Sequence, residues 1–109
     1  MQTAQVRQAA LALPEATEAP HFDVASFRVR GKIFATLAPN GRHLNVFVGD
    51  EVRDHALALD AEFLEPLRWG AKVVGLRVLL AAARPEVTRA LLREAWLRKA
   101  PKSLHAQLR

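Results

Sequence analysis

The chain has 109 residues, of which half are hydrophobic and a quarter are charged, and it contains no cysteine. A chain of this length fits one domain, residues 1–109, which can bury roughly 65% of the surface that its unfolded form exposes. The lack of cysteine excludes disulfides, thiolate metal sites and a cysteine nucleophile. No apolar run is long enough to cross a bilayer. The composition is that expected of a cytoplasmic protein.

The net charge of +5 is distributed unevenly. Residues 1–65 carry six Lys and Arg against nine Asp and Glu, a net of −3, whereas residues 66–109 carry ten against two, a net of +8. A basic segment often accompanies binding to polyanions, but it is equally typical of a solvated surface. Charge alone leaves both interpretations open.

The first half of the chain reads as one helix followed by three strands. Residues 2–13 carry an apolar stripe at helical spacing, and Pro14 ends this helix. Residues 15–20 are expected to be a connector. Alternating apolar and polar residues then predict three strands, around residues 26–30, 33–37 and 43–48.

Turn chemistry predicts the register of the first hairpin. A three-residue loop at Arg30-Gly31-Lys32 would set Val29 opposite Ile33 and Phe27 opposite Ala35. We reject a two-residue turn here because it would place Arg30 beside Ile33.

The second hairpin follows from a four-residue loop at residues 39–42, which would set Leu37 opposite Leu44 and Ala35 opposite Val46. These registers gather the aliphatic side chains on one face of the sheet. The other face would then be open and would carry Arg28, Phe34 and Phe47, with Ser26, Thr36 and Asn45 nearby.

The second half alternates helix and strand. Asp50 is a predicted N-cap of an acidic helix within residues 50–65, and a short strand around residues 67–69 and a longer one over residues 72–80 follow. The last helix is expected to begin at Pro85 and to end before residue 101, with Val87, Leu91, Leu92 and Ala95 facing the core and Trp96 at its edge. The predicted fold is therefore α+β: a two-layer domain with a five-stranded antiparallel sheet, helices on one face, and the order α-β-β-β-α-β-β-α.

The sequence contains no recognisable catalytic motif. None of its four histidines is paired with another at metal-ligand spacing, and an isolated His21-x-Asp23 pair is a frequent chance match. There is no glycine-rich phosphate loop and no nucleophile motif. We expect a protein that is not an enzyme and holds no cofactor or metal, although a catalytic set assembled only in space stays open.

Basic side chains cluster at the predicted hairpin tips. Such groups can neutralise phosphates, and neighbouring aromatic rings can stack on unpaired bases. The candidate nucleic-acid contacts are Arg28, Arg30, Lys32, Arg42, Arg68 and Lys72, and the candidate open-face contacts are Phe34, Phe47 and Trp69. Exposed aromatic residues are also typical of a subunit interface, of the seat of a chain tail, or of the floor of a small-ligand site. These alternatives stay open.

Four segments resemble the MmcQ/YjbR-like family in order and spacing. They are Leu13–Phe22, Phe27–Leu37, Leu44–Val46 and Arg68–Gly70. The resemblance implies a compact two-layer fold, distantly similar to frataxin-like (CyaY-like) and secretion-chaperone-like folds. It also implies DNA binding through a double-wing motif, with Arg28, Arg30 and Lys32 in one wing and Arg68, Trp69, Gly70 and Lys72 in the other.

The chain departs from the family pattern at two places. Val73-Val74-Gly75 stands where members often carry a second tryptophan, and Ala95-Trp96 stands where they often carry Ser-Tyr. Iron binding of the frataxin kind is not expected, because residues 1–13 contain no Asp or Glu.

The leading hypothesis is a nucleic-acid-binding domain that contacts the phosphate backbone, with DNA and RNA both open. The alternative is a protein-interaction or small-ligand-sensing module that uses the open sheet face, with a homodimer around Phe34 and Phe47 as one form of it.

Overall fold

The computed structural model describes residues 1–108. The elements are α1 (Thr3–Leu11), β1 (Ala16–His21), β2 (Val24–Val29), β3 (Lys32–Leu37), β4 (His43–Val46), α2 (Asp50–Asp60), β5 (Leu64–Trp69), β6 (Lys72–Leu79), α3 (Pro85–Lys99) and α4 (Lys102–His105). The strands form one antiparallel sheet in the order β1-β2-β3-β4-β6-β5. The α+β class is confirmed, but the sheet has six strands, so the predicted five-stranded sheet and element order are wrong.

The additional strand is β1, which lies where a connector was predicted. It pairs with β2 along its whole length, from Ala16 opposite Val29 to His21 opposite Val24. Apart from Thr17, it has none of the Val, Ile, Phe, Tyr or Trp side chains that mark most strands, and it contains Pro20. Proline is tolerated on an edge strand because one side of that strand needs no ladder hydrogen bonds. Backbone pairing therefore forms this strand with little help from side-chain propensity.

The core lies between the helices and one face of the sheet, which we call the helical face. Helix α3 packs on β3, β4 and α1, whereas α2 packs on β5 and β6. The predicted stripe of α3 is confirmed by the burial of Leu91, Leu92 and Ala95. Trp96, expected at the edge of the core, is instead fully buried, and its Nε1–H donates to the carbonyl of Pro14 at 2.9 Å. This bond ties the end of the N-terminal helix region to α3.

The predicted three-residue loop of the first hairpin is wrong. Val29 lies opposite Lys32, so only Arg30 and Gly31 form the turn. Both have positive φ, 50° and 79°. A two-residue turn with positive φ at both positions matches the right-handed twist of the flanking strands. Phe27 still lies opposite Ala35, as predicted.

A β-bulge reconciles the short turn with that pairing. Arg28 lies opposite Ile33 and Phe27 opposite Ala35, so Phe34 is an extra residue on β3. The bulge reverses the predicted alternation at this point. Phe34 is fully buried in the core, whereas Ile33 lies on the opposite face of the sheet. The placement of Phe34 on an open face is therefore wrong.

The second hairpin has the predicted register, with Leu37 opposite Leu44 and Ala35 opposite Val46. Beyond β4, the chain crosses through α2 and returns so that β6 lies next to β4 and β5 forms the far edge. Asp50 was expected to be the N-cap of α2, but Gly49 occupies that position and Asp50 is the first helical residue. Its carboxylate bonds to Arg53 at 2.8 Å instead.

Among residues 1–108 there is no helix long and apolar enough to cross a membrane.

Candidate functional site

The face of the sheet opposite the helical face, here called the open face, forms a groove of about 870 Å³. Side-chain alternation along the strands places Ile33, Thr36, Asn45 and Phe47 on its floor. His21 and Val24 line one end of the groove. The other end, where β2 meets β3 and β5 meets β6, carries most of the charged side chains.

The centre of the floor is polar. The Nδ2–H of Asn45 donates to the hydroxyl of Thr36 at 3.1 Å across the β3–β4 pair. Asn45 Oδ1 is shielded from solvent, and within the described chain it accepts no hydrogen bond. The open face thus differs from the helical face, which buries aliphatic and aromatic residues.

Four cations meet at the charged end of the groove. Lys32 and Lys72 each follow a hairpin turn, and Arg98 and Lys99 lie in the last turn of α3. They meet because antiparallel pairing brings the β2–β3 turn, the β5–β6 turn and the end of β4 to one end of the sheet, and α3 also ends there. We call these four residues the cationic end.

No ion pair to any residue in the range 1–108 neutralises the cationic end. Burial lowers the pKa of the Lys99 ammonium group, and repulsion from Arg98 and Lys32 lowers it further. An anion bound beside Lys99 would stabilise its protonated form, which burial and the neighbouring cations disfavour. The cationic end is therefore a region of uncompensated positive charge within the described chain.

Arg98 is held in place by backbone groups. Its Nη1–H lies 3.4 Å from the carbonyl oxygens of both Phe47 and Val48, at the end of β4. The C-terminus of α3 also favours cations in its last turn, because helix dipoles place partial negative charge there. These contacts fix the position of the guanidinium without neutralising its charge.

Two aromatic rings lie beside the cationic end. The rings of Phe47 and Trp69 meet edge to face, with centroids 5.6 Å apart and an interplanar angle of 60°. Lys99 Nζ lies 6.0 Å from the Phe47 centroid. Phe47 is 9% exposed and Trp69 is 64% exposed, so the phenyl ring supports an indole that presents much of its surface to solvent. An indole next to unpaired cations can stack on a planar group of an anionic ligand.

The structure brings together only some of the predicted contact residues. Lys32, Lys72, Phe47 and Trp69 line the groove. Arg28 lies on the open face, but its guanidinium bonds to Ser26 Oγ at 3.0 Å and to the Pro20 carbonyl at 3.4 Å, away from the cationic end.

Arg30 lies near the cationic end but is already paired. Its guanidinium makes two bonds to the Glu15 carboxylate, at 2.6 and 3.1 Å. These hydrogen bonds, with the attraction between the charges, lower the pKa of Glu15 and raise that of Arg30. Arg30 therefore adds little net charge to the first hairpin tip.

The remaining predicted contacts lie elsewhere. Arg42 is in the β3–β4 turn, at the end of the sheet opposite the cationic end, and Arg68 is exposed on the edge strand β5 without lining the groove. Phe34 belongs to the core. The six proposed cations therefore do not form one surface.

Sequence reasoning left Arg98 and Lys99 out of the site. An Arg-Lys pair in the last turn before Pro101 was visible, but it is about 25 residues from the β5–β6 hairpin and over 60 from the β2–β3 hairpin. Only the packing of α3 along the sheet shows that the pair reaches the hairpin turns.

The described residues contain no group of three or more His, Asp or Glu side chains arranged to hold a metal ion. The groove itself is lined by more cations than carboxylates. Its chemistry is that of anion binding.

A family model described as YjbR matches residues 11–98, which is more than half of the chain. The structure is similar to the crystal structure of Deinococcus radiodurans protein DR2400, described by the domain DUF419, with a TM-score of 0.79 and 20% sequence identity. The alignment covers 99% of this chain and 88% of that chain, and at this identity it shows the fold alone. No curated protein matches the chain. The family match over residues 11–98 shows that the chain belongs to the YjbR family.

Proposed function

We propose that this protein binds single-stranded nucleic acid in the open-face groove, with phosphates at the cationic end and an unpaired base stacked on Trp69. One observation carries the proposal: four cations without ion pairs in the described chain line the same groove as an indole that is 64% exposed. Phosphate neutralisation and base stacking are the two contacts that bind single strands without sequence preference.

The geometry favours a single strand over a duplex. Base faces are accessible for stacking only when bases are unpaired, and the exposed indole adjoins a groove rather than a protruding ridge. A double-wing contact would use Arg30 and Arg68 as well as Lys32 and Lys72, but Arg30 is paired with Glu15 and Arg68 does not line the groove. Binding is therefore expected to follow the backbone and to depend weakly on sequence.

The proposal treats the protein as a binding protein and not as an enzyme. Lysine and arginine dominate the charged end of the groove, and the histidine that lines it, His21, lies at the opposite end. This arrangement supports anion binding without a positioned acid–base pair at the cationic end.

The test uses the fluorescence of the two tryptophans, which differ in exposure. Trp69 is exposed and Trp96 is fully buried, so a stacked base should quench Trp69 alone. Protein is titrated with a 12-nucleotide oligothymidylate, the matching 12-base-pair duplex, and thymidine monophosphate. We expect quenching by the single strand at concentrations well below those needed for the duplex.

Trp69→Leu is the control, because it removes the exposed indole and leaves the buried one. The remaining emission should not respond to the oligonucleotide. Equal quenching in the variant, or no quenching in the native protein together with unchanged anisotropy of a labelled strand, would show that the groove does not bind single strands.

A small anionic ligand is the second candidate, supported by the size of the groove. Small-molecule sites usually measure about 300–1,000 Å³, and the groove falls within this range at about 870 Å³. Saturation of the Trp69 signal by thymidine monophosphate at a lower concentration than by the oligonucleotide would favour this candidate. The predicted homodimer around Phe34 and Phe47 would have to form without Phe34, because Phe34 lies in the core.

A further inference from the structure

A second groove, of about 710 Å³, lies between α2 and α3 on the side of the molecule away from the open face. Its walls are mainly apolar: Val52, Ala56 and Leu59 come from α2, and Val87, Ala90 and Leu91 come from α3. The salt bridge between Asp60 and Arg84 joins the C-terminal end of α2 to the start of α3 and closes one end of the groove. We call it the helical groove.

Leu59 is the clearest sign that the helical groove is unfilled. It follows Val52 and Ala56 at helical spacing, as a core residue would, yet it is 68% exposed. Facing it, Ala90 is exposed and too short to cover it. Ala56 and Leu91 are buried below and form the floor. A large aliphatic side chain thus projects beside a cleft that small residues leave open.

The rim of the helical groove is acidic. Glu51 on α2 and Glu86 and Glu94 on α3 line it, and none of them forms an ion pair with another described residue. His55 also lines the groove, but the arginines nearby lie outside it: Arg53 bonds to Asp50 and Asp54, and Arg89 and Arg93 are absent from its walls. The local charge is therefore opposite to the net charge of +5.

We propose that the helical groove binds an amphipathic helix of a partner protein, whose apolar stripe is flanked by Lys and Arg. An apolar cleft between two helices accepts residues at i, i+3, i+4 and i+7 of a third helix. The three free glutamates on both walls complement cations on either side of that stripe.

A second copy of this chain does not supply such a helix within residues 1–108. Helix α1 has one exposed leucine, Leu11, but its one basic residue, Arg7, is paired with Glu18. Helix α4 spans four residues and buries its Leu104. The occupant is therefore a different polypeptide.

The test uses a fluorescein-labelled 15-residue peptide with Leu at helical spacing and Lys at the other positions. Two matched peptides carry Glu in place of Lys, or Ser in place of Leu. Fluorescence anisotropy with the native protein should show binding of the first peptide alone. Because the protein is positively charged overall, binding of a cationic peptide points to the local acidic rim.

Variants locate the binding. Leu59→Asn should weaken the affinity about tenfold, the effect of losing one buried leucine contact. Glu86→Gln with Glu94→Gln should weaken it several-fold at low salt. The control variants are Leu11→Asn and Glu62→Gln, which change an exposed leucine and an exposed glutamate outside the groove. Neither should change the affinity for the peptide.

Three results would overturn the proposal. The first is equal binding of the acidic peptide, and the second is unchanged peptide affinity in Leu59→Asn. The third is a homodimer in sedimentation equilibrium that Leu59→Asn dissociates, because a second copy would then occupy the groove. The peptide should bind the Lys32→Gln, Lys72→Gln variant as tightly as the native protein, because the two grooves share no lining residue. Failure of one proposal therefore leaves the other intact.

Discussion

Removing two lysines of the cationic end, Lys32→Gln with Lys72→Gln, should halve the salt dependence of oligonucleotide binding. Each phosphate neutralised on a single strand contributes about 0.7 to the slope of log affinity against log salt concentration. Four cations without ion pairs in the described chain correspond to a slope of about −2.8, and two to about −1.4. Between 50 and 200 mM salt, the native affinity should then fall about 50-fold and the variant affinity about sevenfold.

The assay is fluorescence anisotropy of a labelled 12-nucleotide oligothymidylate, with a full titration at each of four salt concentrations. The matched control is Arg42→Gln with Arg89→Gln, which lowers the net charge by the same amount through exposed residues away from the groove. If the control reduced the slope as much as the lysine variant, general charge would explain the binding. The cationic end would then have no special role.

Three further predictions test the sheet and the site. In chemical denaturation, Phe34→Ala should lower the free energy of unfolding by about 3–5 kcal/mol, because Phe34 lies in the core. Ile33→Ala should lower it by clearly less, because Ile33 lies on the open face. Equal losses would contradict the bulge. Gly75→Ala should also destabilise the protein, by about 1–3 kcal/mol, because an added Cβ would lie 2.1 Å from the carbonyl oxygen of Val46; an unchanged denaturation midpoint would show that β4 can move away. Burial and like charges lower the pKa of Lys99, whereas a bound phosphate favours its protonated form. Anisotropy titrations should therefore show the affinity for the oligonucleotide falling as pH rises through that pKa. The fall should be shallower in Lys99→Arg. An identical pH profile in that variant would remove Lys99 from the site.

The limits of α3 and the second hairpin could be predicted from the sequence because local signals determine them. Pro85 begins α3 as expected, and the pairs Leu37–Leu44 and Ala35–Val46 follow from a loop with Asn and Gly at its tip. In both cases the residues that carry the signal lie within or next to the element that they determine.

The first hairpin could not be predicted because two local features compensate each other. A two-residue turn alone would invert the faces of β3, and the bulge at Phe34 restores them from Ala35 onward. The alternating pattern of β3 shows neither feature. Arg30 has positive φ, which is uncommon for residues other than glycine. An arginine at this position therefore does not indicate that the turn begins there.

The candidate site was predicted in part for a similar reason. Lys32, Lys72, Phe47 and Trp69 follow from hairpin geometry, which is local. The pairing of Arg30 with Glu15 depends on β1, a strand whose composition does not predict a strand. Arg98 reaches the groove only because α3 runs along the sheet toward the end of β4. Contacts between distant segments decide which charges are free.

The two grooves carry opposite charges. The cationic end is positive and the rim of the helical groove is negative. In the field of a polyanion such a molecule experiences a torque that turns its positive end inward before contact, which raises the fraction of productive encounters. Under the two proposals, the same rotation would point the acidic rim toward solvent, where a partner helix would meet it.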